Sequence, residues 1–120
     1  MANEITISTS MRLVNGPLTS IANTKQTQFN QTTARGGGPG VVDVGTSEEN
    51  INFGDISPGF VRFTNLDTTN FVRLRFSTGA NAIRLVANGG TSLIYVDSGV
   101  TVIAIADTAA CKVLVEAFNS

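Results

Sequence analysis

From residue 60 onward the chain alternates. "FVRFT" (60–64), "FVRLRF" (71–76), "AIRLVA" (82–87), "SLIYV" (92–96), "TVIAIA" (101–106) and "CKVLVEAF" (111–118) are short, apolar and rich in β-branched residues. Many place their apolar side chains at every second position, the period of a strand with one face on a core. NLDTTN, STGAN, NGGT, DSGV and DTAA separate them with turn chemistry. Short strands at roughly ten-residue spacing predict an all-β fold. The expected architecture is an antiparallel β-sandwich, jelly-roll-like, of about eight strands. The inward positions are expected to be Val61, Phe63, Val72, Leu74, Ile83, Leu85, Ile103, Ile105, Val113 and Val115. One helical rival exists: in "TAACKVLVEAF" Ala109, Ala110, Leu114 and Ala117 would share a helix face. The alternation of Val113, Val115 and Ala117 with Lys112, Leu114 and Glu116 favours a last strand.

The first forty residues are less regular. "EITIST" alternates, "MRLV" (11–14) runs into the turn signal "NGP" (15–17), and "TKQTQFNQTT" (24–33) is a polar strand candidate with one large apolar residue, Phe29. "ARGGGPG" (34–40) predicts a flexible connection, with four glycines around Pro39. "VVDV" (41–44) resumes extended structure, and "GTSEENINFGDISPG" (45–59) predicts irregular chain tucked onto the core. The organisation expected is an N-terminal arm over 1–40 and a sandwich body over 41–120. Such an arm buries little on its own subunit, so ordering it costs entropy that intrachain contacts barely offset. It is expected to reach across a subunit boundary by strand addition, with 34–40 as its joint.

Composition narrows the partners. Charged residues make up 14% and hydrophobic ones 42%, against about 25% charge in a typical soluble domain. Eight Lys and Arg against nine Asp and Glu give a net charge of −1, which provides no general footprint for nucleic acid. No apolar run approaches the roughly 20 residues of a membrane helix. "MANEITISTS" lacks a basic region followed by an apolar stretch, which predicts a protein made and used from a cytoplasm or released by lysis. The single cysteine, Cys111, lies in an apolar pattern and reads as a small buried hydrophobe.

Catalytic equipment is sparse. The chain has no histidine, which removes the usual neutral-pH base and the common nucleophile and zinc arrangements. "GGGPG" has neither dinucleotide-fingerprint nor phosphate-loop spacing. Glu48 and Glu49 are adjacent and would point apart on an extended chain; with Asp55 and Asp67 they read as a solvated acidic strip. Oxygens of Asp43, Asp55 or Asp67 could meet calcium, but no loop has EF-hand spacing. Asn30-Gln31-Thr32 is a formal glycosylation sequon. The expectation is no catalytic residue, no metal site, no cofactor and no small-molecule substrate.

The unusual feature is arginine on the outer parity of two strands. If "FVRFT" and "FVRLRF" pair as a hairpin, Val61, Phe63, Val72, Leu74 and Phe76 face inward, and Phe60, Arg62, Phe71, Arg73 and Arg75 face outward. Like charges opposite one another are destabilising, so an anion should offset them: Glu48, Glu49, Asp67 or a carboxylate on another chain. Guanidinium planes beside aromatic rings also make interface anchors. Phe60, Arg62, Phe71, Arg73, Arg75 and Phe29 are the candidate interface residues; the other readings are arginines that merely lie over the sheet with their heads in water, or a nucleic-acid or anion site.

Three stretches, "VGTSEENINFGDI" (44–56), "FTNLDTTNFVRL" (63–74) and "IAIADTAACKVLVEA" (103–117), resemble small structural proteins of tailed-phage virions. In that group a Gly-Thr-Thr/Ser-Glu-Glu stretch precedes a Gly-Asp turn. An aromatic strand then leads into Asn-Leu-Asp-x-Thr-Asn, and an Ala-Asn/Asp-Thr-Ala-Ala turn precedes the terminal strand. The match in order and spacing spans roughly residues 40–118. The resemblance implies a β-sandwich protein of the virion, assembled in the host cytoplasm. Its expected role is a capsid decoration or cement protein that binds the major capsid protein and copies of itself, with a homotrimer expected. The alternatives are a neck, tail or fibre protein, or a module binding carbohydrate on a host surface; the last has no Trp and a single tyrosine, Tyr95, to work with. The chain departs from the group at Arg73 and Arg75, where small or acidic residues are more familiar, so an arginine-based contact would be its own.

Overall fold

A computed structural model describes residues 3–23, 26–31, 33–80 and 83–119. Thr24, Lys25 and Thr32 of the polar strand candidate, the sequon threonine among them, and Ala82 at the start of "AIRLVA" lie outside the described residues. The chain is all-β and antiparallel, and no described residue is helical. It divides into two compact units, residues 1–33 and 34–120.

The first unit contains two ribbons. β1 (Ile5–Ile7) pairs with β4 (Thr27–Phe29), and β2 (Ser10–Asn15) pairs with β3 (Leu18–Asn23) around the Gly16-Pro17 turn. β3 has no alternation in "LTSIAN" and is not foreshadowed by the pattern. Asn30 and Glu4 side chains accept hydrogen bonds from the backbone N–H groups of Asn3 and Gln31, at 2.8 and 3.3 Å.

The second unit is two four-stranded sheets. Its strands are β5 (Gly36–Val44), β6 (Glu49–Asn50), β7 (Pro58–Asn65), β8 (Val72–Arg75), β9 (Ile83–Leu85), β10 (Thr91–Tyr95), β11 (Ile103–Ala106) and β12 (Cys111–Asn119). The sheet orders are β10-β7-β12-β5 and β6-β11-β8-β9. Val61, Phe63, Val113, Val115 and Ala117 of the first sheet meet Val72, Leu74, Leu85, Ala104 and Ala106 of the second in one core. Cys111 is buried in it. The rival helix is thus a strand, one of the two interior ones of its sheet, with neighbours on both sides.

Eight strands build the two sheets of this unit, and the four other described strands lie before residue 34. Five expectations need correction. The glycine-rich stretch is strand, not a flexible joint. The boundary falls at 33/34 rather than 40/41. β5 lies at a sheet edge, where Pro39 needs no donor on its open side. Gly36 is required by close approach: a Cβ there would stand 2.7 Å from Cδ1 of Phe118. Third, β7 and β8 do not pair; they belong to different sheets. Fourth, β11 turns its alanines rather than its isoleucines into the shared core, although Ile103, 7% exposed, is buried as expected. Ala104 and Ala106 lie opposite Leu74 and Val72, while Ile103 and Ile105 lie opposite Arg75 and Arg73. Between sheets already filled by Phe63 and Leu74, the inward slots of β11 take methyl groups. Phe76, expected inward, is 38% exposed.

The turn after β7 is held by a buried side chain. Asn65 is fully buried; its amide donates to the carbonyls of Asn70 (2.9 Å) and Leu85 (3.1 Å), and its Oδ1 accepts from the N–H of Asp67 (2.9 Å). Asp67 in turn accepts from the N–H groups of Thr69 and Asn70. Asn65 and Asp67 thereby shape the passage from the first sheet to the second.

Candidate interaction surface

The six candidate residues separate into four environments. Arg62 and Phe60 project from the outer face of the first sheet. Arg62 lies directly across from Glu116 and donates to it, with Nε 3.0 Å from Oε1. Phe60 lies opposite Tyr95 and meets it edge to face, centroids 5.0 Å apart. Phe29 sits in β4 opposite Ile5 and is 37% exposed. Arg75 is paired with Glu48, one of the carboxylates expected to offset it. Its side chain is only 14% exposed, and the pair is a structural clasp: Glu48 also accepts from the N–H of Gly79 at 2.8 Å.

Phe71 and Arg73 form the remaining group, and the structure adds Arg84 to it. The register of β8 and β9 puts Arg73 directly opposite Arg84. The guanidinium carbons of Arg73 and Arg84 lie 4.7 and 4.0 Å from the centre of the Phe71 ring. Two like charges across a strand pair repel; sharing one aromatic ring offsets part of that cost. Among the described residues the carboxylate ion pairs are made by Arg35, Arg62, Arg75 and Lys112, and neither Arg73 nor Arg84 has one. Arg84 escaped the reading by alternation because its significance is its cross-strand partner. The short STGAN connection between two strand patterns was the available signal.

Carboxylates elsewhere are held ionised. The Gly79 N–H and then Arg75 keep Glu48 below the usual carboxylate range. The N–H groups of Asn70 and Thr69 do the same for Asp67, and Arg35 for Asp55. Burial pushes the Cys111 thiol up, with Asp67 and Asp107 adding to it. A folded-state value below the unfolded one stabilises the fold above the unfolded pKa and ceases to do so as pH falls through the folded one. Stability should therefore be level near neutrality and decline as pH drops through about 4 and below. Urea denaturation across that range checks this, and Glu48→Gln should flatten the decline. An undiminished decline in that variant removes Glu48 from the account.

A depression of about 510 Å³ lies beside Tyr95, between residues 56–58 and 96–100. No group of three or more His, Cys, Asp or Glu side chains placed to hold a metal ion occurs among the described residues. No protein-family model, curated protein or solved structure matches the chain.

Proposed function

We propose that this chain is a non-enzymatic structural protein of a phage particle, most simply a capsid decoration or cement protein. In this reading it docks on an acidic patch of the major capsid protein through Phe71, Arg73 and Arg84. The observation that carries the docking face is the opposed arginine pair held against one ring without a carboxylate of its own. With the stems ordered by the sheet and the ring, less entropy is lost when a partner's carboxylate arrives, and a guanidinium fork suits it. The net charge of −1 favours a local carboxylate over a nucleic-acid backbone.

The sandwich body supports the particle reading through its strand order. Counted from β5, the two sheets read 6-3-8-1 and 2-7-4-5, the interleaving of two Greek keys that defines a jelly roll, and we read the body as one. Jelly rolls occur in capsid and lectin domains, so the fold narrows the field without choosing within it. The phage resemblance of 44–56, 63–74 and 103–117 supplies the choice.

The test is made on particles of the phage that encodes the chain. Quantitative mass spectrometry should find tens to hundreds of copies per head; a handful would move the protein to neck, tail or fibre, and absence would end the reading. Arg73→Glu with Arg84→Glu should weaken attachment to undecorated heads at least tenfold, since truncating desolvated charge contacts commonly costs 2–5 kcal/mol or more. Unchanged attachment would remove this face from the contact. A carbohydrate-binding module is the second reading, favoured by the exposure of Tyr95 (54%) beside its depression. Tyr95-dependent binding to host polysaccharide would support it.

A further inference from the structure

β8 and β9 bring two arginines to one place. Arg73 lies directly opposite Arg84, and residues directly opposite share a face. Their guanidinium carbons stand 4.7 and 4.0 Å from the centre of the one Phe71 ring, so the two charges are neighbours rather than separate sites. On the other flank of Arg73 lies Ile105 of β11. Arg84 is exposed and Arg73 half-buried.

The chain gives this pair no counter-charge. It has nine Asp and Glu residues, all of them described. Four are taken by the ion pairs of Arg35, Arg62, Arg75 and Lys112. Glu49 accepts from the N–H of Gly45, and Asp67 from those of Thr69 and Asn70. Asp107 adjoins the ring through the backbone, its N–H donating to the Phe71 carbonyl. Neither it nor Asp97 pairs with an arginine. Residues 1–33 contribute only Glu4, which accepts from the Gln31 N–H of its own unit.

We infer, resting on the docking face proposed above, that Arg73 and Arg84 act together as one site for a single carboxylate of the partner, bridged between the two guanidiniums. The partner then brings one Asp or Glu side chain here rather than a spread of acidic residues. The register selects one group. Two carboxylates brought to neighbouring guanidiniums would repel each other in the same space. One carboxylate has two oxygens and about four lone-pair sites, enough to accept from both forks. Its charge also relieves the repulsion that the opposed arginines otherwise bear. The apolar flanks, Phe71 and Ile105, lower the local dielectric and strengthen such charge-assisted bonds.

The test reads the site on the full chain in solution, without particles, so its failure and a failure of decoration are separate results. Sodium acetate is titrated at constant ionic strength against sodium chloride, and the arginine Nε–H resonances are followed by NMR. Arg73 and Arg84 should shift along one saturable curve with a common dissociation constant. Arg62 and Arg75, already paired with Glu116 and Glu48, should stay still. Arg84→Gln should weaken acetate binding at Arg73 at least about tenfold, the loss of one charge-assisted contact, and Arg73→Gln should do the same at Arg84. Each change removes a like-charge opposition, so the fold is retained; an unchanged pattern of backbone amide resonances checks this. Two different dissociation constants, or an Arg73 response untouched by Arg84→Gln, would overturn the shared carboxylate. So would acetate shifts no larger than those in chloride, which would leave the stack a structural device only.

Discussion

Replacing Asn65 with leucine should destabilise the protein by about 3–5 kcal/mol, since each buried group left without its partner costs roughly 1–3. The size of a leucine fits the site; its chemistry does not. The substitution strips the N–H of Asp67 and the carbonyls of Asn70 and Leu85 of a partner at once. It also loosens the Asp67 turn, whose carboxylate holds the backbone N–H groups of Thr69 and Asn70. Aspartate is the sharper control. It keeps an acceptor for Asp67 but turns an oxygen toward the two carbonyls that the amide now serves, so it should also be strongly destabilising at neutral pH. Urea unfolding reads both as a lowered midpoint at constant slope. A loss below about 1 kcal/mol for leucine would mean that the turn holds itself and Asn65 merely fills space.

Phe63→Ala should cost a comparable amount, about 3–5 kcal/mol, by the lost transfer energy and the cavity left behind. Phe63 is fully buried in β7, between Ser92 of β10 and Val115 of β12, and contributes to the core shared by both sheets. Phe63→Leu keeps most of that volume and should cost less than half as much. The same truncation at Phe76, 38% exposed, should cost much less. Equal losses at Phe63 and Phe76 would contradict the placement of the core. Against a total stability of roughly 5–15 kcal/mol, either of the two large substitutions brings the domain near its limit.

What alternation can show is that a segment has two faces. It identified the buried side of β7, β8 and β12 because there one parity is apolar and the other carries Arg62, Arg73, Arg75 or Lys112. It misassigned β11 because both parities of "TVIAIA" are apolar, and only the volume left by the opposing sheet selects alanine for the inside. The glycine stretch was misread for a related reason: composition reports what a strand interior dislikes, whereas Gly36–Val44 is an edge strand that accepts it. Sheet membership was least accessible. β7 and β8 are consecutive and joined by six residues, yet they lie in different sheets, a choice made by their later partners, β10 and β12 for the one and β9 and β11 for the other. The Phe71–Arg73–Arg84 cluster was half legible for this reason. Phe71 and Arg73 stand in one segment, whereas Arg84 joins them only through pairing.

The position of β12 bears on how the protein is made. β5 and β7 are not neighbours; β12, the last of the twelve described strands, lies between them and bonds to both. On a chain emerging from a ribosome, the sheet β10-β7-β12-β5 stays split, with two open edges, until residue 119 is free. Its closure waits on translation, and the partly made chain carries unpaired strand edges that a nascent-chain chaperone would have to shield.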